Sequence, residues 1–403
     1  MFPELFPELF PELFPELFPD CVTCFAGSSH LHSTMRAAWR TSRLLAFPAW
    51  RTPRRGHASA ARCVDASPKD AKRAAAAAHR VGADAKIIAA ELEARRASAA
   101  SASASSASPS PRALRNLTRL SAYATHGDTI KGFFEPGLLR LYLELDAVHE
   151  CRGVRGALVE IGVFHGKSFM PLALLRQPDE RCVAIDCFED QSVNIDRSGE
   201  GDGVAFRENV DATMRVCCDG APDGGREGDA REDWLAILEM DSTRLADDRA
   251  PLARAAGSPV RLFSIDGCHT AEATAADLRV ASSAMHPEGV VVVDDAFNPD
   301  WPGVVTGMFE WRRDALETIA RRADGERRTD VTTDDWNDVG LEPFLIGFGK
   351  VFLCRPAARD AYFARFAENE NENRLGARKT ADFMGRECAV FRHGWISTFH
   401  GNE

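Results

Sequence analysis

The sequence predicts an α/β chain: a Rossmann-like, doubly wound, mostly parallel seven-stranded sheet, with helices on both faces and an antiparallel hairpin at one edge. Two observations carry this prediction. Five short apolar runs alternate with helix-like segments, and each run ends in an acidic or glycine-containing turn. The runs are β-branched with little polar alternation, which suits strands buried on both faces. Strand–helix alternation in turn implies right-handed crossovers and a parallel sheet. A third observation sets the limits of the fold, because composition changes abruptly near residue 112.

The expected strands cover 157–162, 182–186, 235–241, 260–266 and 289–295. Helical patterns cover 138–148 ahead of the first strand, then 168–176, 204–217, 270–285 and 303–322. Residues 343–346 and 350–354 flank a short glycine-containing turn and read as the edge hairpin. The insert 219–233, rich in Gly and Asp, reads as a surface loop, and no role is read for the tail 360–403.

The chain has 403 residues, 49 Lys+Arg, 60 Asp+Glu and a net charge of -11. That average hides a split of +5 over residues 1–112 and -16 over 113–403. Residues 2–20 repeat Phe-Pro-Glu-Leu, and a proline in every fourth position excludes a helix. Residues 21–64 hold seven Arg and no Asp or Glu, the composition of an organelle transit peptide. Such an address works from a terminus, which makes Met35 the expected start. The expected location is organellar, mitochondrion ahead of plastid, otherwise cytoplasmic, and not secreted.

Four segments follow: a low-complexity tail over 1–34, a transit peptide over 35–66, an Ala-rich helix with a Ser/Ala linker over 67–112, and one catalytic domain over 113–403. The extension before the domain is expected to be disordered. Eleven Cys with a single Cys-x-x-Cys at Cys21 and Cys24 read as reduced thiols rather than a zinc site. The acidic body argues against a nucleic-acid partner, and no apolar run is long enough to span a membrane.

Ligands of such sheets sit beyond the carboxyl ends of the strands. Glu160, Asp186, Asp241, Asp266, Asp294 and Asp295 all fall there. The first turn reads Glu160-Ile-Gly162-Val-Phe-His-Gly166-Lys-Ser, where the two glycines allow a tight turn and a close backbone approach. Its spacing matches neither the dinucleotide-binding pattern nor a P-loop. Glu160 would repel a pyrophosphate but suits a cationic amino-acid group, and Asp186 can accept from ribose hydroxyls. An adenosine ligand with a positive tail fits both. Asp266, Asp294 and Asp295 would bring three carboxylates together, which is unfavourable without a cation or protons.

In order, Val-Glu-Ile-Gly-x-x-x-Gly, Ala-Ile-Asp, Ser-Ile-Asp-Gly-x-His and Val-Val-Asp-Asp resemble a class I S-adenosylmethionine-dependent methyltransferase. Within that superfamily the chain is similar to the macrocin-type O-methyltransferases (methyltransferase family 24-like), over roughly residues 130–360. The resemblance implies S-adenosylmethionine as cofactor. Glu160, Gly162 and Gly166 would lie on its methionine side, Asp186 at the ribose, and Asp241 and Ser242 near the adenine. It also implies Mg²⁺ or Mn²⁺ at Asp266, Asp294 and Asp295, His269 as general base, and a small hydroxylated molecule as methyl acceptor. Two alternatives stay open. One is a metal-independent N- or C-methyltransferase, and the other is a catalytically silent cofactor-binding module of the same fold. The loops 191–202 and 296–304 would overhang the rim as lids or substrate walls.

Overall fold

The computed structural model describes residues 85–97 (except 87), 109–218, 231–325, 336, 339–367 and 379–391. The Phe-Pro-Glu-Leu repeat, the segment read as a transit peptide and residues 219–230 of the insert 219–233 lie outside the described residues. No described helix is long and apolar enough to cross a membrane.

In chain order, α1 (Pro111–His126) and α2 (Leu138–Arg152) precede β1 (Ala157–Ile161), α3 (Phe169–Leu174), β2 (Cys182–Asp186) and α4 (Gly203–Cys218). Next come α5 (Arg231–Trp234), β3 (Leu235–Glu239), α6 (Ala250–Ala256), β4 (Val260–Ile265), α7 (Ala271–Ala284), β5 (Met285–Val293) and α8 (Pro302–Gly325). The chain ends with β6 (Glu342–Gly347), β7 (Lys350–Cys354), α9 (Pro356–Ala367), β8 (Lys379–Phe383) and β9 (Arg386–Phe391).

One sheet has the order β3-β2-β1-β4-β5-β7-β6-β9-β8. Strands β1 to β5 pair in parallel, and β7 runs antiparallel to both β5 and β6. The sheet therefore has nine strands, not the expected seven. The β6–β7 hairpin is not an edge, because β9 pairs in parallel with β6 and β8 closes antiparallel on β9. Two consecutive positive φ values, at Met384 (52°) and Gly385 (74°), turn the chain between β8 and β9. Two-residue hairpin turns need that conformation, and the right-handed twist of the flanking strands fits it.

Side chains alternate between two apolar clusters, as the period of a strand demands. Leu158, Ala184, Leu262 and Val292 enter one, with α1, α2, α3, α4 and α9 against it. Val159, Ile185, Phe263 and Val293 enter the other, with α6, α7 and α8. Helices thus cover both faces. Residues 85, 86 and 88–97 are helical and bury Ile88 and Leu92 in the first cluster, so the packed chain includes residues before 113.

Strand order reverses between β1 and β4, which both run parallel from neighbouring central positions. Loops leave in opposite directions there and open a crevice at the carboxyl ends. The predicted site residues lie at or just past the carboxyl ends of β1 to β5.

Candidate active site

The turn after β1 is built on backbone that only glycine tolerates easily. Gly162 has φ +79° and Gly166 φ +95°. A Cβ on Gly162 would lie 1.8 Å from the carbonyl oxygen of Asp266, so the β1 turn and the end of β4 touch through bare backbone. Asp186 reaches across from β2 and accepts from the backbone N–H of Phe164 at 2.8 Å and of Phe188 at 2.7 Å. Its carboxylate thereby anchors the turn, and it stays partly exposed with lone pairs to spare. Burial raises it, against those backbone hydrogen bonds.

Glu160 is fully buried. One oxygen accepts from Ser264 Oγ at 3.0 Å, while Oε2 is buried without an aligned hydrogen-bond donor. Burial pushes its carboxyl up to about 7, against the opposing pull of Lys350 and the Ser264 and Ser168 hydroxyls. Asp241 caps a short 3-10 turn, with Oδ1 accepting from Thr243 N (2.9 Å) and Thr243 Oγ1 (2.7 Å). Ser242 adjoins Asp277, a buried carboxyl that desolvation pushes up to about 7.

The acidic cluster is divided by side chains that the sequence did not single out. Lys350, the first residue of β7, is 3% exposed, and its ammonium donates to Asp294. Burial acts to lower that ammonium, but Asp294 and Asp266 outweigh it and raise it. The neutralising cation at Asp294 is therefore part of the chain. Asp266 is held well above the carboxylate range, chiefly by burial and then by the charge on Asp294.

His269 bridges to the third acid. It lies just ahead of α7, whose N-cap Thr270 accepts from Ala273 N. Its Nδ1 is 2.7 Å from Oδ2 of Asp196, and its Nε2 is 3.2 Å from Oδ2 of Asp295. The second approach is close enough for an ion pair but misaligned for a hydrogen bond, which leaves Nε2 buried without an aligned partner. The ring stacks on Trp301 at 4.4 Å and 19°. Burial works to lower His269, but Asp295 and Asp196 outweigh it and raise it. Asp295 has φ 55° and also accepts from Asn298 Nδ2 at 3.0 Å. Burial opposes, and the adjacent His269 together with the bond from Asn298 wins, so Asp295 is lowered.

One ligand atom from each of Asp266, His269 and Asp295 lies within 4.8 Å of the others. Asp294 is turned to Lys350 instead. The structure thus brings Asp266, His269 and Asp295 together in one place, and Gly162 against Asp266. Asp241 and Ser242 stand apart after β3. Sequence reasoning gave no role to Asp196 or Lys350 and left Trp301 between lid and packing. An acid in the loop after β2 was the available signal for Asp196.

Residues 159–296 match a family model described as a methyltransferase domain. Over that stretch the chain is similar to a methyltransferase domain. The match runs from within β1 to the residue after Asp295 and takes in the predicted acids and His269 but not Trp301 or Lys350, and the resemblance read from the sequence holds at this level. No curated protein matches the chain. Among solved structures, a calicheamicin methyltransferase, CalS11, is 16% identical, covering 75% of this chain and 100% of its own, with a TM-score of 0.38. MycE of the mycinamycin biosynthetic pathway, in complex with Mg and SAH, is 14% identical over 60% of this chain and 54% of its own (TM-score 0.32). TomG from Streptomyces achromogenes, in complex with SAM, is 18% identical over 60% of this chain and 89% of its own (TM-score 0.32). Likeness at this level transfers no site residue and no substrate.

Proposed function

We propose that the domain transfers a methyl group from S-adenosylmethionine to a hydroxyl of a small molecule, with His269 as the general base. The observation that supports this best is His269 itself, whose unaligned Nε2 stands beside Asp295 at the switch point where the Gly162 turn meets β4.

The residues fit the cofactor. Glu160 has an unpartnered buried oxygen, and its charged form gains from a cationic amino group nearby. Asp186 keeps lone pairs for the ribose, and Asp241 and Ser242 would flank the adenine. S-adenosylmethionine supplies an electrophilic methyl on a sulfonium. The chain's part is to hold the acceptor in line and take its proton. With the acceptor oxygen displacing the sulfonium sulfur from the methyl carbon, Nε2 of His269 would take the hydroxyl proton.

A divalent cation, Mg²⁺ or Mn²⁺, is the finer part of the reading. Asp266 and Asp295 would hold it, and it would lower the acceptor hydroxyl's pKa. Asp294 joins them only if Lys350 releases it. Nε2 of His269 cannot be both ligand and base, so a metal there would have to spare that nitrogen.

Titration calorimetry of the full chain with S-adenosylmethionine tests the core of this, and micromolar or tighter binding is expected. No heat of binding, with or without Mg²⁺, would sink the proposal. Labelled methyl offered with panels of hydroxylated and amine acceptors then separates O- from N-transfer. Full turnover in EDTA would remove the cation from the mechanism.

A further inference from the structure

We propose that Asp196 is the positioning residue for His269, keeping the proton of the neutral ring on Nδ1 and so leaving Nε2 as its basic nitrogen. One carboxylate oxygen makes both contacts. Oδ2 of Asp196 accepts from the His269 backbone N–H at 2.6 Å and lies 2.7 Å from Nδ1. A carboxylate can only accept, so the proton between them belongs to Nδ1. The other oxygen accepts from Ser198 N at 3.1 Å, which stops the carboxylate from turning away. The Asp196 side chain is 6% exposed, so water competes little for these bonds.

Two further contacts bear on the ring. Trp301 lies flat against one face at 4.4 Å, which opposes a ring flip. Nε2 is 3.2 Å from Asp295 but lacks an aligned partner. A neutral imidazole in water favours the proton on Nε2, the wrong nitrogen for a base facing the cleft. The tautomer is set by whatever the other nitrogen bonds to, and here that is Asp196.

Asp196 lies 73 residues before His269, in the loop that leaves β2. That loop begins directly after Asp186, the proposed ribose ligand. Asn194 braces it from within, donating to Gln191 Oε1 at 2.7 Å and to the Gly199 carbonyl at 2.6 Å. A single braced loop therefore joins the cofactor side of the crevice to the base. The base function of His269 rests on the reading in the preceding section; its tautomer does not.

Nitrogen-15 spectra of the histidine side chains test this on the full-length protein, in EDTA and at a pH where the rings are neutral. The His269 signals are assigned by their loss in His269→Gln. Wild type should show a protonated Nδ1 and an unprotonated Nε2. Asp196→Ala should exchange the two shifts. A wild-type ring protonated on Nε2 overturns the proposal without any variant. So does a tautomer unchanged in a folded Asp196→Ala. Calorimetry with S-adenosylmethionine on the same samples keeps the two readings apart. An Asp196-dependent Nδ1–H tautomer in a protein that binds no cofactor supports the positioning of His269 while it overturns methyl transfer.

Discussion

Glu160 shows how much a single buried charge can say about a site. It is fully buried, and its carboxyl is pushed up to about 7 from an ordinary 4.5. Between those values the folded state holds a proton that the unfolded state has released. The penalty for burying the anion is thus absent below about 4.5 and complete above about 7, so stability falls as pH rises through that window. The size is on the order of 3 kcal/mol, from ~1.4 kcal/mol per unit. Glu160→Gln removes the titration and keeps the shape. Urea unfolding should find the variant gaining on wild type from pH 5 to pH 8; a constant difference would show that Glu160 is not perturbed. A ligand with a cationic group beside Glu160 would reverse the sign, because it favours the anion. Lys350 is the companion case. It neutralises Asp294 from inside the fold.

At the scale of elements, the turn after β1 concentrates the constraint. Gly162→Ala would place a methyl 1.8 Å from the Asp266 carbonyl oxygen, at a φ of +79°. Neither backbone can yield without moving the end of a central strand, so the loss should exceed the ~1 kcal/mol of a simple left-handed strain. A thermal midpoint within a degree of wild type would refute the contact. These central elements were legible in the sequence. The runs ending at Gly162, Asp186 and Asp266 became β1, β2 and β4 within a residue or two, because strands buried on both faces leave an unbroken apolar signature. The start of β5 was read four residues late, where its pairing with β4 slips between Val260 and Leu262. β8 and β9 were missed. Lys379-Thr-Ala-Asp-Phe383 is too polar for a core strand, and Met384 is not a residue that announces a hairpin turn. Of the site, the residues at strand ends were readable, since topology alone puts them there. Their partners were not. Lys350 meets Asp294 across 56 positions and Asp196 meets His269 across 73, and only the pairing of β7 with β5 and the path of one loop bring them together.

Across the whole molecule, the crevice at one end of the sheet is matched by a buried charge network on the face that α1 and α2 cover. Arg261 on β4 is entirely buried. It donates to both oxygens of Glu180 at 2.9 Å, to Asp146 at 3.1 Å and to the Leu175 carbonyl at 3.0 Å, and its Nη1 lies 3.0 Å from His149 Nδ1. Asp146, on α2, also takes Arg112 from α1 through two bonds of 2.8 and 2.6 Å. Desolvation and the neighbouring Arg261 charge hold His149 well below the histidine range, so it sits in this network neutral. The network ties both N-terminal helices to the strand whose far end carries Asp266. Pairs of this kind add little net stability when complete, because desolvation offsets the attraction, but removing one member strands the others. Arg261→Ala should therefore cost about 3–5 kcal/mol in chemical unfolding. Arg261 lies at the start of β4 and Asp266 just past its end, so a folded Arg261→Ala at low temperature should still bind S-adenosylmethionine with an affinity close to wild type. A large loss of stability with cofactor affinity retained is the result that would mark this network as scaffold. An equal collapse of affinity in the folded variant would mean that β4 carries strain from one end of the sheet to the other.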